Sequence, residues 1–254
     1  MTSSLLLALI IGLGVGLVVG ALGAGGGILS VPVLVYILGM EPHAASAGSL
    51  VIVGLTALVS LIPRSREGFV RWKDGVVFGA LSTVGTFAGS RLSGWLDARV
   101  LMLLFSALLA VVGVVMLIKA LRPTEVSHAP EQRSIMKLLL CATATGFLTG
   151  FFGVGGGFAV VPMLVLALGF SIREASSTSL LVMIIASSVG LLSRIGSPVS
   201  VDWLTVLIFA AASMAGGLMG APLSRRVKAS TLTLIFGVLL LAVAGFALVQ
   251  TLWF

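Results

Sequence analysis

The sequence predicts an all-α polytopic membrane protein built from two homologous halves, and three observations carry that prediction. The chain is 59% hydrophobic and only 9% charged, whereas soluble domains carry about 25% charged residues. The charges are segregated: Asp, Glu, Lys and Arg are absent from residues 1–40, 42–63, 75–90, 100–118, 138–172, 175–193, 203–224 and 229–254. Finally, the chain matches itself when Gly20 is laid on Gly150. Because the apolar runs are continuous rather than alternating over roughly ten-residue segments, they predict helices and not a barrel.

Taken in order, six of the charge-free runs suit a single span of roughly 20 residues. The other two, 1–40 and 138–172, are too long for one. About 35 residues of helix would extend roughly 50 Å, against a hydrocarbon core of about 30 Å. Each long run must therefore break, and each contains a glycine-rich stretch where a break is cheapest. Met1–Ser4 hold no basic residue, so the first run is expected to be mature structure rather than a cleavable signal, although Ala21-Leu22-Gly23-Ala24 mimics a cleavage site. Between the halves lies the polar stretch 122–134, RPTEVSHAPEQRS. This gives a first transmembrane repeat over 1–121, a linker over 122–134 and a second repeat over 135–254.

The internal match is ordered. Gly20, Gly23, Gly25, Gly26, Gly27, Val31, Pro32 and Leu34 align with Gly150, Gly153, Gly155, Gly156, Gly157, Val161, Pro162 and Leu164. Downstream, Gly39 meets Gly169, Ser46 meets Ser176, Ser49 meets Ser179 and Arg64 meets Arg194. After one extra residue in the second half, Trp72 meets Trp203, Gly85 meets Gly216 and Gly89 meets Gly220.

Charge decides between parallel and inverted halves. If each glycine-rich break is a hairpin, Arg64, Arg66, Arg71, Lys73, Lys119, Arg122, Arg133, Lys137, Arg173, Arg225, Arg226 and Lys228 share one side. Only Arg91, Arg99 and Arg194 lie on the other. Single crossings would divide the basic residues far more evenly, and basic loops stay in the cytoplasm. The expectation is thus inverted repeats with both termini periplasmic and the linker cytoplasmic. Each half holds a Gly-broken hairpin plus three spans, giving about eight full transmembrane helices and up to ten segments.

Several residues are candidates for a site. Three successive glycines sit poorly in a helix, and irregular backbone at membrane depth is tolerated only against protein or a cavity. Gly25, Gly26 and Gly27, with Gly155, Gly156 and Gly157, therefore suggest a cavity wall. The helix starting after each motif would offer unpaired N–H groups to an anion, as in transporters whose broken helices meet at the midplane. Tight helix packing through small residues explains the same glycines. Pro32 and Pro162 fit either a rigid broken helix or simple helix termination. Ser46 with Ser49, and Ser176 with Ser179, each share a helix face; with Thr178 they could donate to ligand oxygens, or bond back to their own helix. Arg64 and Arg194 could attract anions or gate at the two mouths, with Arg91 a third cation lacking a counterpart; snorkelling to the interface is the simpler reading of Arg64 and Arg194.

What the sequence lacks is also informative. All eight acidic residues and both histidines flank the apolar runs, so no mid-membrane carboxylate can relay protons or hold a cation. No metal cluster or acid/base pair is visible, no cofactor is expected, and no Gly-Lys-Ser/Thr completes a phosphate loop. The net charge of +7 lies in loops, where it sets orientation and meets membrane lipid rather than nucleic acid. The single Cys141 rules out an intrachain disulfide.

The duplicated G-x-x-G-x-G-G-G-x-x-x-V-P-x-L motif, with a basic stretch between halves, resembles the TauE/SafE family of sulfite and organosulfonate exporters over nearly the whole chain. The resemblance implies a bacterial inner-membrane transporter of seven or eight transmembrane helices in two four-helix halves. Its substrate would be a small sulfur-containing anion such as sulfite or sulfoacetate. A passive channel for small anions or neutral solutes is the alternative, followed by a membrane-embedded enzyme or accessory subunit.

Overall fold

The computed structural model describes residues 2–22, 27–121, 135–153, 157–194, 200–220, 222 and 227–253. Among these residues there are ten α-helices and no strand. They are α1 (Thr2–Leu22), α2 (Gly27–Pro32), α3 (Pro42–Ser65), α4 (Trp72–Ser93), α5 (Ala98–Leu121), α6 (Ile135–Phe152), α7 (Gly157–Leu166), α8 (Ile172–Leu192), α9 (Trp203–Gly220) and α10 (Ala229–Trp253). Each long apolar run holds two described helices, one on either side of its glycine stretch. α1 stops at Leu22 and α2 starts at Gly27, while α6 stops at Phe152 and α7 starts at Gly157.

The short helices end alike and differ within. Gly39 and Gly169 adopt φ of 69° and 67°. The amides of Met40 and Phe170 reach back six residues to the carbonyls of Leu34 and Leu164. This is the left-handed glycine cap that turns a chain out of a helix. The equivalent prolines diverge: Pro162 lies inside α7, whereas Pro32 ends α2, which continues as π-helix over Val33–Ile37. The next helices start on strong caps. The Glu41 carboxylate accepts from the amides of His43 and Ala44 at 3.0 and 2.9 Å. Ser171 and Glu174 form a reciprocal capping box on α8.

Six helices are long and apolar enough to cross a membrane: α1, α3, α5, α8, α9 and α10. The sequence leads one to expect about eight spans; α4 and α6 fall outside the six. α4 carries Lys73, Asp74 and Arg91 among several hydroxyl residues, and the apolar part of α6 is the shorter stretch Met136–Phe152. α2 with its π-turn, and α7, reach only about half of a 30 Å core at 1.5 Å per residue.

Packing interleaves the two halves of the chain. α1 lies against α9 and α6 against α4; α5 pairs with α10, and α3 with α8 at the centre. The shift that carries Gly20 to Gly150 carries the first of these pairings into the second. α1 and α9 approach so closely that a Cβ at Gly16 or Gly20 would strike the carbonyl of Ser213 or Gly217. Gly146 and Gly150 of α6 meet Ser82 and Thr86 of α4 in the same way. Small residues at membrane helix contacts allow this backbone-to-backbone approach. The outer surface is apolar, with Leu6, Ile10, Val84, Val111, Leu140, Leu207 and Val249 exposed, while Ser46, Ser49, Thr56, Ser82, Thr86, Ser176 to Ser179 and Ser213 are buried. Apolar outside and hydroxyl-rich inside is what a lipid solvent requires.

Candidate functional site

α3 and α8 carry most of the candidate side chains, and the short helices α2 and α7 that follow the glycine stretches pack against them. The short helices α2 and α7 touch each other, and Ile28 and Val31 of α2 share one apolar cluster with Val160, Val161 and Leu164 of α7. Gly27 and Gly157 are the first residues of these helices. Gly25, Gly26, Gly155 and Gly156 lie outside the described residues.

The best-defined cluster surrounds the C-terminal end of α6. The last carbonyls of a helix have no partner within it. Here they accept from other elements. Ser46 Oγ donates to the Phe152 carbonyl at 3.0 Å, and Ser49 Oγ donates to the Gly153 carbonyl. Arg194 Nη2 donates both to Ser46 Oγ at 3.0 Å and to the Gly150 carbonyl at 3.1 Å. Ser90 of α4 adds a second donor to Gly150 at 3.2 Å. Gly153 has φ of 65°, and Ser46 Oγ occupies the space that a Cβ there would need. Ser46 thus relays a chain of donors from Arg194 to the end of α6. Ser49 also contacts its own helix through the Ser46 carbonyl at 3.1 Å.

A corresponding arrangement sits at the end of α1. Arg64, only 1% exposed, donates through Nη2 to the carbonyls of Gly20 and Ala21 at 2.8 and 2.9 Å. Both arginines therefore serve helix C-termini, where a cation complements the dipole. On α8, Ser176 and Ser179 donate to the carbonyls of Arg173 and Ser176 at 3.1 and 2.9 Å, and Thr178 Oγ1 accepts from the Arg71 amide at 3.0 Å. Arg71 also pairs with Glu174 at 2.6 Å, tying the start of α4 to α8. Arg91 joins neither cluster. It is exposed and lies over the ring of Phe87 on its own helix, 5.3 Å from the centroid.

The repeat brings out Ser46, Ser49, Arg64 and Arg194, but not Ser90. Its counterpart in the second half is Ala221, so it leaves no duplicated signal. Among the described residues no group of His, Cys, Asp or Glu is arranged to hold a metal ion. What the site does present is a cation, hydroxyls and helix ends, enclosed by apolar side chains.

Comparison with known proteins agrees with this picture. The family described as "Sulfite exporter TauE/SafE" matches residues 8–247. A "Probable membrane transporter protein" of Xylella fastidiosa (strain Temecula1) is 37% identical over 236 residues, 91% of this chain and 89% of the relative. The "Probable membrane transporter protein YunE" of Bacillus subtilis is 26% identical over 262 residues, 94% of this chain and 96% of the relative. No solved structure matches. With a family match over nearly all of its length and a bundle of membrane-spanning helices beneath it, the chain belongs to the TauE/SafE sulfite exporter family of multi-pass membrane transporters.

Proposed function

We propose that the protein is a secondary transporter exporting sulfite, sulfoacetate or a related sulfur-containing organic anion across the inner membrane by alternating access. The observation that carries this reading is the family match over residues 8–247. The half-buried Arg194 guanidinium beside Ser46 supports an anionic substrate, because sulfite and sulfonates present several oxygens to such a cation. In this reading the anion sits between the two glycine-rich breaks, near Gly27 and Gly157, with the hydroxyl faces of α3 and α8 around it. The contact of α2 with α7 favours that placement. The two halves are inverted repeats that rock about the site, the 122–134 linker is cytoplasmic and both termini are periplasmic.

Counterflow tests it. Proteoliposomes preloaded with unlabelled sulfite should transiently accumulate labelled sulfite, and sulfonates but not simple carboxylates should abolish the accumulation. Absence of counterflow in tight vesicles holding folded protein would exclude sulfite. Uptake that merely equilibrates would indicate a passive pore. Replacing Gly26 or Gly156 by Val should reduce counterflow strongly, and normal transport by both variants would remove the glycine-rich breaks from the site.

A further inference from the structure

Arg64 and Arg194 occupy equivalent positions in the sequence repeat, and each donates to the end of a broken helix. They differ in what balances their charge. The Glu67 carboxylate lies 3.9 Å from Arg64, and both side chains are buried at 1% and 6% exposure. Past Arg194 the chain reads Ile195-Gly196-Ser197-Pro198, and no acidic residue comes before Asp202. The Asp202 carboxylate is engaged by the Thr205 hydroxyl and amide at 2.6 and 3.3 Å. Among the described residues no carboxylate lies within ion-pair distance of Arg194. The guanidinium donates to the neutral oxygens of Ser46 and Gly150, and its buried Nε–H has no partner among the described residues.

A helix C-terminus offers only about half an elementary negative charge. A guanidinium taken out of water calls for a full counter-charge and filled donors. Glu67 supplies the counter-charge for the first half, and no described carboxylate supplies it for the second. A single anion beside Arg194 would, with one oxygen accepting from Nε; the Ser46 and Ser90 hydroxyl protons are already given to the Phe152 and Gly150 carbonyls.

We propose that Arg194, and not Arg64, supplies the fixed positive charge of the anion site, so that the two equivalent arginines have diverged into a substrate-binding cation and a charge-neutralised structural clamp. The inference rests on the anion-transport reading above and adds to it a stoichiometry of one anion per chain and a location at the second break.

The test is thermal unfolding of the purified full-length protein in detergent, with sodium sulfite, sulfoacetate, sulfate, phosphate or acetate replacing sodium chloride at fixed ionic strength. The wild type should melt higher in at least one of these anions than in chloride. Arg194→Lys keeps the charge and a capping N–H but loses the Nε donor. It should raise the half-saturating anion concentration at least about tenfold, the equivalent of one charge-assisted hydrogen bond. Glu67→Gln unbalances Arg64 and should make the protein more anion-responsive than wild type, which a purely structural pair of arginines would not do. The proposal is overturned by a wild type indifferent to all five anions, by an Arg194→Lys protein with the wild-type half-saturating concentration, or by a Glu67→Gln protein no more responsive than wild type. The two readings fail separately. Sulfite counterflow that is unaltered in Arg194→Lys overturns this inference alone. A phosphate or acetate response weakened by Arg194→Lys, without sulfite counterflow, overturns the sulfur assignment alone.

Discussion

Ser46 and Gly153 illustrate how single residues shape the site. The Ser46 hydroxyl accepts from Arg194 and donates to the Phe152 carbonyl, so Ser46→Ala strips a partner from each. Leaving such buried groups unsatisfied costs about 1–3 kcal/mol. We expect a lower melting temperature and weaker sulfite counterflow from this variant, measured on the same preparation. Gly153→Ala faces two penalties. Its positive φ disfavours an L side chain by about 1–2 kcal/mol, and the new methyl would displace Ser46 Oγ. It should therefore destabilise at least as much as Ser46→Ala in thermal unfolding. The repeat makes both residues legible in the sequence, because each has a duplicated partner. It does not reveal Ser90 or Glu67, whose importance comes from neighbours on other helices and whose equivalents are not of the same type.

At the scale of elements, the contacts of α1 with α9 and of α6 with α4 depend on missing side chains. Gly14 and Gly16 lie two residues apart on α1 and make a matched pair. A Cβ at Gly14 meets nothing within 4 Å, whereas one at Gly16 strikes the Ser213 backbone. Gly14→Ala should leave stability unchanged or raise it by up to about 1 kcal/mol through helix propensity. Gly16→Ala should lower it by about 1–3 kcal/mol through overpacking. Gly146→Ala, the equivalent on α6, should behave like Gly16→Ala. Thermal unfolding and monodispersity in detergent would report all three, and equal behaviour of Gly14→Ala and Gly16→Ala would contradict the close approach. Glycine spacing in the sequence suggests packing of this kind, but it cannot say which helix lies opposite. α1 finds its partner in α9, nearly the whole chain away, because both present small residues at the same depth.

For the whole molecule, orientation is the open quantity that charge predicts. In a Cys141→Ala background, Arg66→Cys and Ser200→Cys place exposed thiols after α3 and before α9. Inverted halves put these two thiols on opposite sides of the membrane. A membrane-impermeant maleimide applied to intact cells should therefore label Ser200→Cys and spare Arg66→Cys until the membrane is opened. Labelling of both from one side would mean that the halves are parallel. The experiment bears equally on transport, since inverted halves meeting at a central site are one recurrent basis for rocking transport.

The sequence by itself determined the solvent and the plan: an apolar chain with segregated charge can satisfy its backbone in lipid only as helices, and continuous helices of the two long runs would overshoot the bilayer, so the glycine stretches had to break them. Those are properties of composition and length, which local chemistry settles. Tertiary structure alone decided that each half lends its first helix to the other, that Ser46 of α3 serves the end of α6, and that Arg64 has a carboxylate beside it while Arg194 has none among the described residues. Such pairings depend on side chains far apart in the chain, and a repeat that makes two arginines look alike carries no record of the different neighbours folding gives them.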